Sequence, residues 1–432
     1  MRIAPYFTML LTFVLLSCAS QVGRYHSDHL TCIQIVDRNE LSETIGTKER
    51  LKKFQSTDFI SSQPYQQVLR VFAKDSSGKT PALLTSYHAN GQIWKYLEIL
   101  DARAFGTYRE WYENGQLKIE ATVIGGPADV SPASQGEWLF DGLCFVWDEK
   151  GNILAEIPYA KGVLEGLAIH RHPNGEIAKI IPYEKNQIHG EFAEFTDQGA
   201  PLSKIQFQKD IKNGVSLQYW PNGTLSSLEV YKMGQLDEGT YYNSEGKKIS
   251  EVSKGEGNQS IFAHGSLAKI IEIKQGRPEG IIQCFDTEGL LVSSYPIKNG
   301  LKEGTETLFF LPSELEEPNS GPVPKMTLEW KNDQIHGMVK TWYNNGTLQS
   351  QKIIYQNKKN GTCCSWYRNG KVMFIEEYEN DLLIKGSYFK MNDTDPITKI
   401  LDGNGTATLY DEKGGFIRKI HYEKGNPIES AN

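Results

Sequence analysis

Apolar and polar residues alternate in short stretches along most of this chain, and glycines interrupt those stretches at regular intervals. Two of them, residues 106–117 (GTYREWYENGQL) and residues 361–372 (GTCCSWYRNGKV), place an aromatic residue, an Asn-Gly pair and an apolar residue in the same order. Such alternation is typical of half-buried strands, and Asn-Gly between two apolar stretches is typical of a hairpin. Each stretch therefore predicts a strand, a tight turn and a second strand.

The spacing of the glycines indicates that this unit is repeated. A glycine is followed nine positions later by a second glycine, as at Gly106 and Gly115, and the second glycine recurs every 24 residues at 151, 175, 199 and 223. Self-similarity with such a period is the signature of a repeat array. We predict an all-β fold, an elongated array of tandem antiparallel β-hairpins with a period of about 24 over residues 82–425. The predicted irregular parts are residues 125–135, 237–270, 311–324 and 391–404.

The second glycine of each pair is the predicted turn residue. Asn precedes it in several units, and Asn-Gly predicts a type I′ turn, in which both central residues have positive φ. The first glycine, such as Gly106, is predicted to end the link from the previous hairpin. The predicted turn glycines are Gly91, Gly115, Gly151, Gly175, Gly199, Gly223, Gly289, Gly346, Gly370 and Gly414.

Aromatic residues recur four positions before the turn glycine. Because the period is even, each regular repeat returns them to the same face of the sheet, where we expect an aromatic ladder packed with the apolar residue two positions after the glycine. Packing in the core is the simpler role for these rings, and an exposed binding platform is the alternative. The predicted ladder consists of Trp111, Trp147, Phe195, Tyr219, Phe285, Trp342, Trp366 and Tyr410.

This unit resembles the MORN repeat in its variant form, with its core of an aromatic residue, two variable positions, Asn-Gly or Glu-Gly, and Leu or Ile two positions later. The resemblance covers residues 82–425. It implies protein or lipid-headgroup contacts and no catalysis by the repeat itself. Bacterial proteins of this kind are often described as antitoxin components, which implies an antitoxin-like inhibitor of a toxin partner as the alternative function.

The first residues predict export. An apolar run from Phe7 to Leu16 is too short to span a bilayer comfortably and is typical of a signal peptide, here residues 1–17. Residues 15–18 (LLSC) resemble a bacterial lipobox, which implies that Cys18 becomes the lipid-bearing N-terminus. An ordinary cleaved signal and a retained anchor are the alternatives. Ala19 lacks the acidic character associated with inner-membrane retention, so the outer membrane is favoured.

Residues 18–80 lack the repeat and are predicted to form a cap on the first hairpin or a spacer from the membrane. Leu41–Phe54 has moderate helical character within that segment, and residues 426–432 form a C-terminal tail.

Composition narrows the function further. The chain has 46 basic and 53 acidic residues, a net charge of −7 with both signs mixed, so it carries no basic stripe for nucleic acid. After Cys18, the cysteines at 32, 144, 284, 363 and 364 are scattered and odd in number, which does not describe a disulfide framework. We expect them to be small buried hydrophobes, with Cys363 and Cys364 on opposite faces of one strand.

Two segments invite a chemical interpretation. Residues 76–80 (SSGKT) resemble the end of a phosphate-binding loop, but Ala73 stands where the first glycine is needed, so a solvated turn fits better. His170 and His172 lie on one predicted strand face and, with Glu194 from the next hairpin, form a weak metal candidate. Neither changes the expectation of no metal, no cofactor and no catalytic residues.

The sequence therefore predicts a non-catalytic, membrane-tethered repeat scaffold of the bacterial cell envelope. Its expected partner is an unidentified protein or envelope polymer, bound along the surface that a repeat array offers. Inhibition of a toxin is the alternative function.

Overall fold

The computed structural model describes residues 29–317 and 321–428. The predicted signal peptide and Cys18 lie outside these ranges. Contacts divide the chain into two units between Gln187 and Ile188, here called the N-terminal and the C-terminal unit.

The N-terminal unit begins with strands in residues 29–80, which sequence analysis assigned to a cap or a spacer. It also contains two one-turn helices, α1 (Lys48–Leu51) and α2 (Pro132–Gln135), and a 3-10 turn at Lys52–Phe54. Its strands are β1 Leu30–Val36, β2 Ser42–Ile45, β3 Gln67–Phe72, β4 Pro81–Tyr87, β5 Ile93–Leu100, β6 Arg103–Trp111, β7 Leu117–Gly125, β8 Leu139–Trp147, β9 Ile153–Ala160, β10 Val163–Leu164, β11 Gly166–Arg171 and β12 Ile177–Glu184.

The C-terminal unit consists of strands, apart from a 3-10 turn at Pro312–Glu314. The short strand β13 Gln187–Ile188 comes at the division. The other strands are β14 Gly190–Phe195, β15 Pro201–Gln208, β16 Ile211–Tyr219, β17 Leu225–Lys232, β18 Gln235–Tyr242, β19 Lys248–Ser253, β20 Glu256–Ala263, β21 Ser266–Lys274, β22 Arg277–Phe285, β23 Leu291–Lys298, β24 Leu301–Lys302, β25 Gly304–Phe309, β26 Pro324–Lys331, β27 Gln334–Trp342, β28 Leu348–Tyr355, β29 Lys358–Trp366, β30 Val372–Glu379, β31 Leu382–Tyr388, β32 Thr398–Leu401, β33 Asn404–Tyr410, β34 Phe416–Glu423 and β35 Asn426–Ile428.

Within each unit, strands that follow each other in sequence pair antiparallel, as β6 does with β7 and β29 with β30. Some strands instead pair with both of the strands that follow them, as β1 does with β2 and β3, β9 with β10 and β11, and β23 with β24 and β25. The all-β prediction of tandem antiparallel hairpins is thereby confirmed.

The prediction of type I′ geometry at Asn-Gly was wrong. At the first of these turns Gly91 N–H donates to the His88 carbonyl at 2.9 Å, and Gly91 has φ +89° while Asn90 keeps a negative φ. This is a type I turn followed by a left-handed glycine, the three-residue hairpin loop. The Asn90 side chain explains the difference, because its Oδ1 accepts from Gln92 N–H at 2.9 Å and so holds the turn from within.

Type I′ turns occur instead at the links between units. Lys209 and Asp210 have φ of 51° and 65°, and Gln356 and Asn357 have φ of 49° and 65°. The acidic or amide side chain at the second position accepts from a backbone N–H of the preceding link, as Asp210 does from Ile188 at 2.7 Å.

The first glycine begins a strand directly after a link in some units, as Gly166 does in β11, and it lies opposite a large side chain. Gly142 pairs with Tyr159 and Gly361 pairs with Tyr378 across neighbouring strands. Gly361 has φ +102°, in the region that favours glycine.

Two hydrophobic clusters enclose the first strands of the N-terminal unit, one on each face. On one face, segment 41–66 covers β3–β5 through Leu51 and Phe59, which are buried beside Val68. On the other, the irregular segment 125–138 covers them with Trp138, which is buried beside Tyr108. The strands of residues 29–80 thus complete a two-faced core that hairpins alone lack.

In the C-terminal unit the two irregular stretches 237–270 and 391–404 each contribute to a ring of backbone hydrogen bonds, and the two rings have the same pattern. In the first, three links close a ring of hydrogen bonds: Leu236 N–H to Gly276 O at 3.0 Å, Gly276 N–H to Gly255 O at 3.0 Å, and Gly255 N–H to Asp237 O at 2.8 Å. The second ring joins Leu383, Gly425, Gly403 and Ile384 in the same order. Each ring adjoins a hydrophobic cluster, with Tyr241 or Tyr388 at its centre.

Candidate binding surface

A row of two exposed leucines beside a half-buried and a buried proline, Pro158 and Pro182, crosses β8, β9, β11 and β12 of the N-terminal unit. Leu143 lies opposite Pro158, and Leu167 lies opposite Pro182. Leu143 is 49% exposed and Leu167 is 57% exposed, although each of their strands, β8 and β11, is paired with another strand on both sides. We call Leu143, Pro158, Leu167 and Pro182 the leucine–proline row.

Sequence alternation explains why the row forms. Leu143 and Leu167 each directly follow the first glycine of a unit, Gly142 and Gly166. Since the period is even, the same face of every second strand receives this residue. The opposite face carries small residues such as Ala168, which is 1% exposed and packs in the interior.

Aromatic rings and an ion pair border the row on the same face. Phe145 and Trp147 stack with their ring centroids 5.8 Å apart, and Trp147 is half-buried. Arg171 binds Glu156, with Nη2 to Oε1 at 2.7 Å. The surface therefore combines exposed apolar area, an aromatic edge and a compensated charge pair, which is the composition of many protein-contact surfaces.

Behind the row, the Tyr159 ring lies opposite Gly142 and contacts Phe140 at 5.2 Å between centroids. Burial raises the pKa of the Tyr159 phenol, so it remains neutral. Burial also raises the pKa of the Cys144 thiol, to about 11, which keeps it protonated and unreactive. The layer beneath the surface is therefore uncharged at these positions.

All eight residues of the predicted aromatic ladder are half-buried. Within a hairpin each ring faces the apolar residue predicted to pack with it, as Trp111 faces Leu117 and Trp366 faces Val372. Ladder positions of regular neighbouring repeats lie two strands apart, about 9–10 Å, so aliphatic side chains separate the rings. All ten predicted turn glycines adopt the turn with a left-handed φ, such as +84° at Gly115.

Sequence analysis missed a second aromatic position, three residues before the turn glycine. The Tyr112 hydroxyl donates to the Trp147 carbonyl at 2.9 Å, and the Tyr343 and Tyr367 hydroxyls donate likewise to Trp366 and Phe389 at 2.8 and 2.7 Å. These bonds join one hairpin to the next. The signal was present in the sequence, because an aromatic residue or His at this position accompanies Asn immediately before the glycine.

Other turns have an aspartate three residues before the turn glycine. Asp148 and Asp286 accept hydrogen bonds from their own turn, as from Lys150 N–H to Asp148 Oδ1 at 2.9 Å. Residues other than Asn then precede the glycine, such as Lys150. The array therefore has two kinds of turn: those whose side chains bond to the next hairpin and those whose side chains bond within their own turn.

The remaining chemical candidates take structural positions. Residues 76–80 belong to the turn between β3 and β4, where Gly78 N–H donates to Asp75 O at 3.0 Å. His170 and His172 lie at the end of β11 and just after it. Within residues 29–317 and 321–428 no group of three or more His, Cys, Asp or Glu side chains could hold a metal ion. Over the same residues, no helix is long and apolar enough to cross a membrane.

Comparison with known families identifies the repeat. The family model described as the MORN repeat variant matches residues 106–124, 212–233, 335–357 and 359–380. The matched segments correspond to the hairpins β6–β7, β16–β17, β27–β28 and β29–β30.

Solved structures give distant matches. A porin-like protein from Bacteroides uniformis is 12% identical, with 56% of this chain and 94% of that chain covered and a TM-score of 0.14. A TcdB2–TccC3–TEV structure is 13% identical over 90% of this chain, with a TM-score of 0.13. A TcdB2–TccC3 structure without its hypervariable C-terminal region is 12% identical over 88% of this chain, with a TM-score of 0.11. This chain spans 24% of the length of each of the last two. No curated protein matches it.

Proposed function

The chain belongs to the MORN repeat family through its variant units, and on that premise we propose that it is a non-catalytic, lipid-anchored binding scaffold of the bacterial envelope. In this proposal Cys18 carries the lipid, and the N-terminal unit binds a protein partner through the leucine–proline row. The observation that carries the proposal is the exposure of Leu143 and Leu167 on strands whose edges are already paired.

Physical chemistry supports a contact role for this row. Burying half-exposed leucines and the flanking rings against a partner removes apolar area from water, at about 25 cal/mol per Å². Because neighbouring strands already saturate the backbone of β9 and β11, strand addition is not the mode of binding. A partner would instead dock side chains on the face of the sheet.

The anchoring part of the proposal is tested by intact mass and membrane fractionation. The native chain should carry a diacyl or triacyl mass and sediment with membranes, while Cys18→Ala should lose that mass and become soluble. A native chain without lipid in the cytoplasm would contradict the anchor and favour the antitoxin-like role. Deletion of the gene would then be expected to release toxicity.

The binding part has a separate test. Leu143→Ser and Leu167→Ser should each leave the free energy of unfolding within about 0.5 kcal/mol, because both side chains are exposed. Both variants should lose the cross-linked partner obtained from intact cells with the native chain. Asp286→Asn, a turn change distant in sequence, serves as the matched surface control and should retain it.

A further inference from the structure

A half-buried arginine of the N-terminal unit has two buried nitrogen atoms without a hydrogen-bond partner. Arg70 lies in β3 between two apolar neighbours, opposite Ile33 of β1 and Leu83 of β4. Its Nε and Nη2 atoms are buried and have no hydrogen-bond partner. An unpaired buried donor of a charged group costs folding free energy, so this arrangement calls for a reason other than stability.

The two unpaired donors form one edge of the guanidinium group. Nε–H and Nη2–H point in the same direction and match the spacing of two oxygens on one carboxylate. The guanidinium carbon is 4.6 Å from the centroid of the Phe59 ring, which fixes the plane of the group. Burial lowers the pKa of Arg70 from its ordinary value, yet arginine stays protonated in proteins, so the positive charge persists.

Arg70 lines a cavity of about 180 Å³. Phe54, Phe59, Phe72 and Leu83 supply apolar walls, and Asp58 lies at the exposed rim. The Asp58 oxygens are already occupied, Oδ1 by Ile60 N–H at 3.0 Å and Oδ2 by the Ser61 hydroxyl at 2.5 Å. The Asp58 charge therefore lowers the positive potential around Arg70, although the two side chains do not form an ion pair.

We propose that this cavity binds a small monocarboxylate, with the carboxylate on the Nε–Nη2 edge of Arg70 and a short apolar group between the phenylalanine rings. The volume corresponds to roughly six water molecules at about 30 Å³ each, which suits a ligand of butyrate size. The site is independent of the leucine–proline row, because its residues come from β1, β3, β4, β5 and the segment 54–60.

In this proposal Arg70 binds the anionic group of the ligand. The aromatic walls exclude ligands whose remaining part is large or polar. Inorganic phosphate offers the same pair of oxygens but has no apolar group for the walls. Butyramide has the shape of butyrate without its charge. Binding of butyrate in preference to both compounds is therefore the signature of this site.

Saturation-transfer NMR on the full-length chain measures this directly, with butyrate, benzoate, butyramide and phosphate as probes. Butyrate should bind, butyramide and phosphate should bind at least about tenfold more weakly, and Arg70→Met should weaken butyrate by at least about tenfold. Arg70→Lys should give an intermediate loss, because an ammonium group cannot bind both oxygens in one plane. Asp58→Asn should bind about threefold more tightly, because a nearby like charge is removed.

Urea unfolding separates binding from folding in these variants. Arg70→Met should be at least as stable as the native chain without ligand, because it removes an unpaired buried charge. Butyrate binding that is no stronger than butyramide binding, or that survives unchanged in Arg70→Met, would overturn the proposal. Benzoate binding without butyrate binding would overturn the assigned size.

Discussion

The Tyr367 hydroxyl donates to the backbone carbonyl of Phe389 at 2.7 Å and so connects two successive hairpins of the C-terminal unit. Tyr367 is 0% exposed. Its hydroxyl therefore donates from the interior to a partly buried carbonyl. The stability of the array depends on such connections as well as on strand pairing, since an isolated hairpin is marginal.

The hydroxyl can be removed without loss of the ring. Tyr367→Phe should lower the free energy of unfolding by about 1–3 kcal/mol, because the Phe389 carbonyl is left without that partner. Tyr355→Phe is the matched control, since Tyr355 is 50% exposed, and it should change stability by less than about 0.5 kcal/mol. Urea denaturation followed by circular dichroism gives both values. Equal effects of the two changes would contradict the role of the buried hydroxyl.

The left-handed turn glycines should be sensitive to substitution. Gly289 has φ +82° and open space around it, so Gly289→Ala tests backbone strain without a steric clash. We expect a loss of about 1–2 kcal/mol, and a smaller loss for Gly289→Asn, which tolerates this conformation. Gly136→Ala, at φ −63°, should be neutral or stabilising. Thermal unfolding of the three variants checks the order, which would be reversed if the turn geometry were wrong.

A buried carboxylate, Glu376, makes the stability of the folded protein depend on pH. Glu376 accepts hydrogen bonds from the Tyr388 and Tyr378 hydroxyls at 2.8 and 3.1 Å, and burial raises its pKa above 4.5. The folded state therefore holds the proton more tightly than the unfolded state. This contribution to stability is complete below pH 4.5 and is lost as pH rises through the folded pKa.

Glu376→Gln removes that titration while keeping an acceptor for one tyrosine. The stability of the native chain relative to Glu376→Gln should fall between pH 4 and pH 7.5, by about 1.4 kcal/mol for each unit of pKa difference. Urea unfolding at the two pH values measures the change. A constant difference between the two proteins would show that Glu376 has the same pKa in both states.

The free cysteines should differ in reactivity. Cys363 is 8% exposed, and burial raises its pKa to about 11, so little thiolate is available at pH 8. A maleimide should label Cys363 only after denaturant is added, as followed by peptide mass mapping. Rapid labelling of Cys363 in the native chain would contradict its burial.

Sequence reasoning predicted the repeat because glycine spacing and alternation are local properties. It placed the turn at Gly115 but predicted the wrong turn type. The Asn114 side chain accepts a hydrogen bond from Gln116 N–H, and of the Asn-Gly pair only Gly115 is left-handed. It could not assign β1–β3 to the sheet, because residues 29–80 lack the repeat pattern from which the other strands were predicted. Their pairing, as of β3 with β1 and β4, is visible only in the structure.

The binding residues were harder to predict. Alternation shows that Leu167 and Ala168 face opposite sides, but it does not show which side is covered. Arg70 has no sequence signature, because its lack of a partner depends on side chains brought together from distant segments. The position of Tyr112 was available in the sequence, although its function as a donor to Trp147 required the neighbouring hairpin.

In the proposed function, the leucine–proline row binds a protein partner. A photo-cross-linking residue placed at Leu143 or Leu167 in intact cells tests this most directly, with the same residue at the exposed turn position Lys150 as the control. We expect one discrete protein adduct from both row positions and none from Lys150. The absence of an adduct from the row, or the same adduct from Lys150, would contradict it.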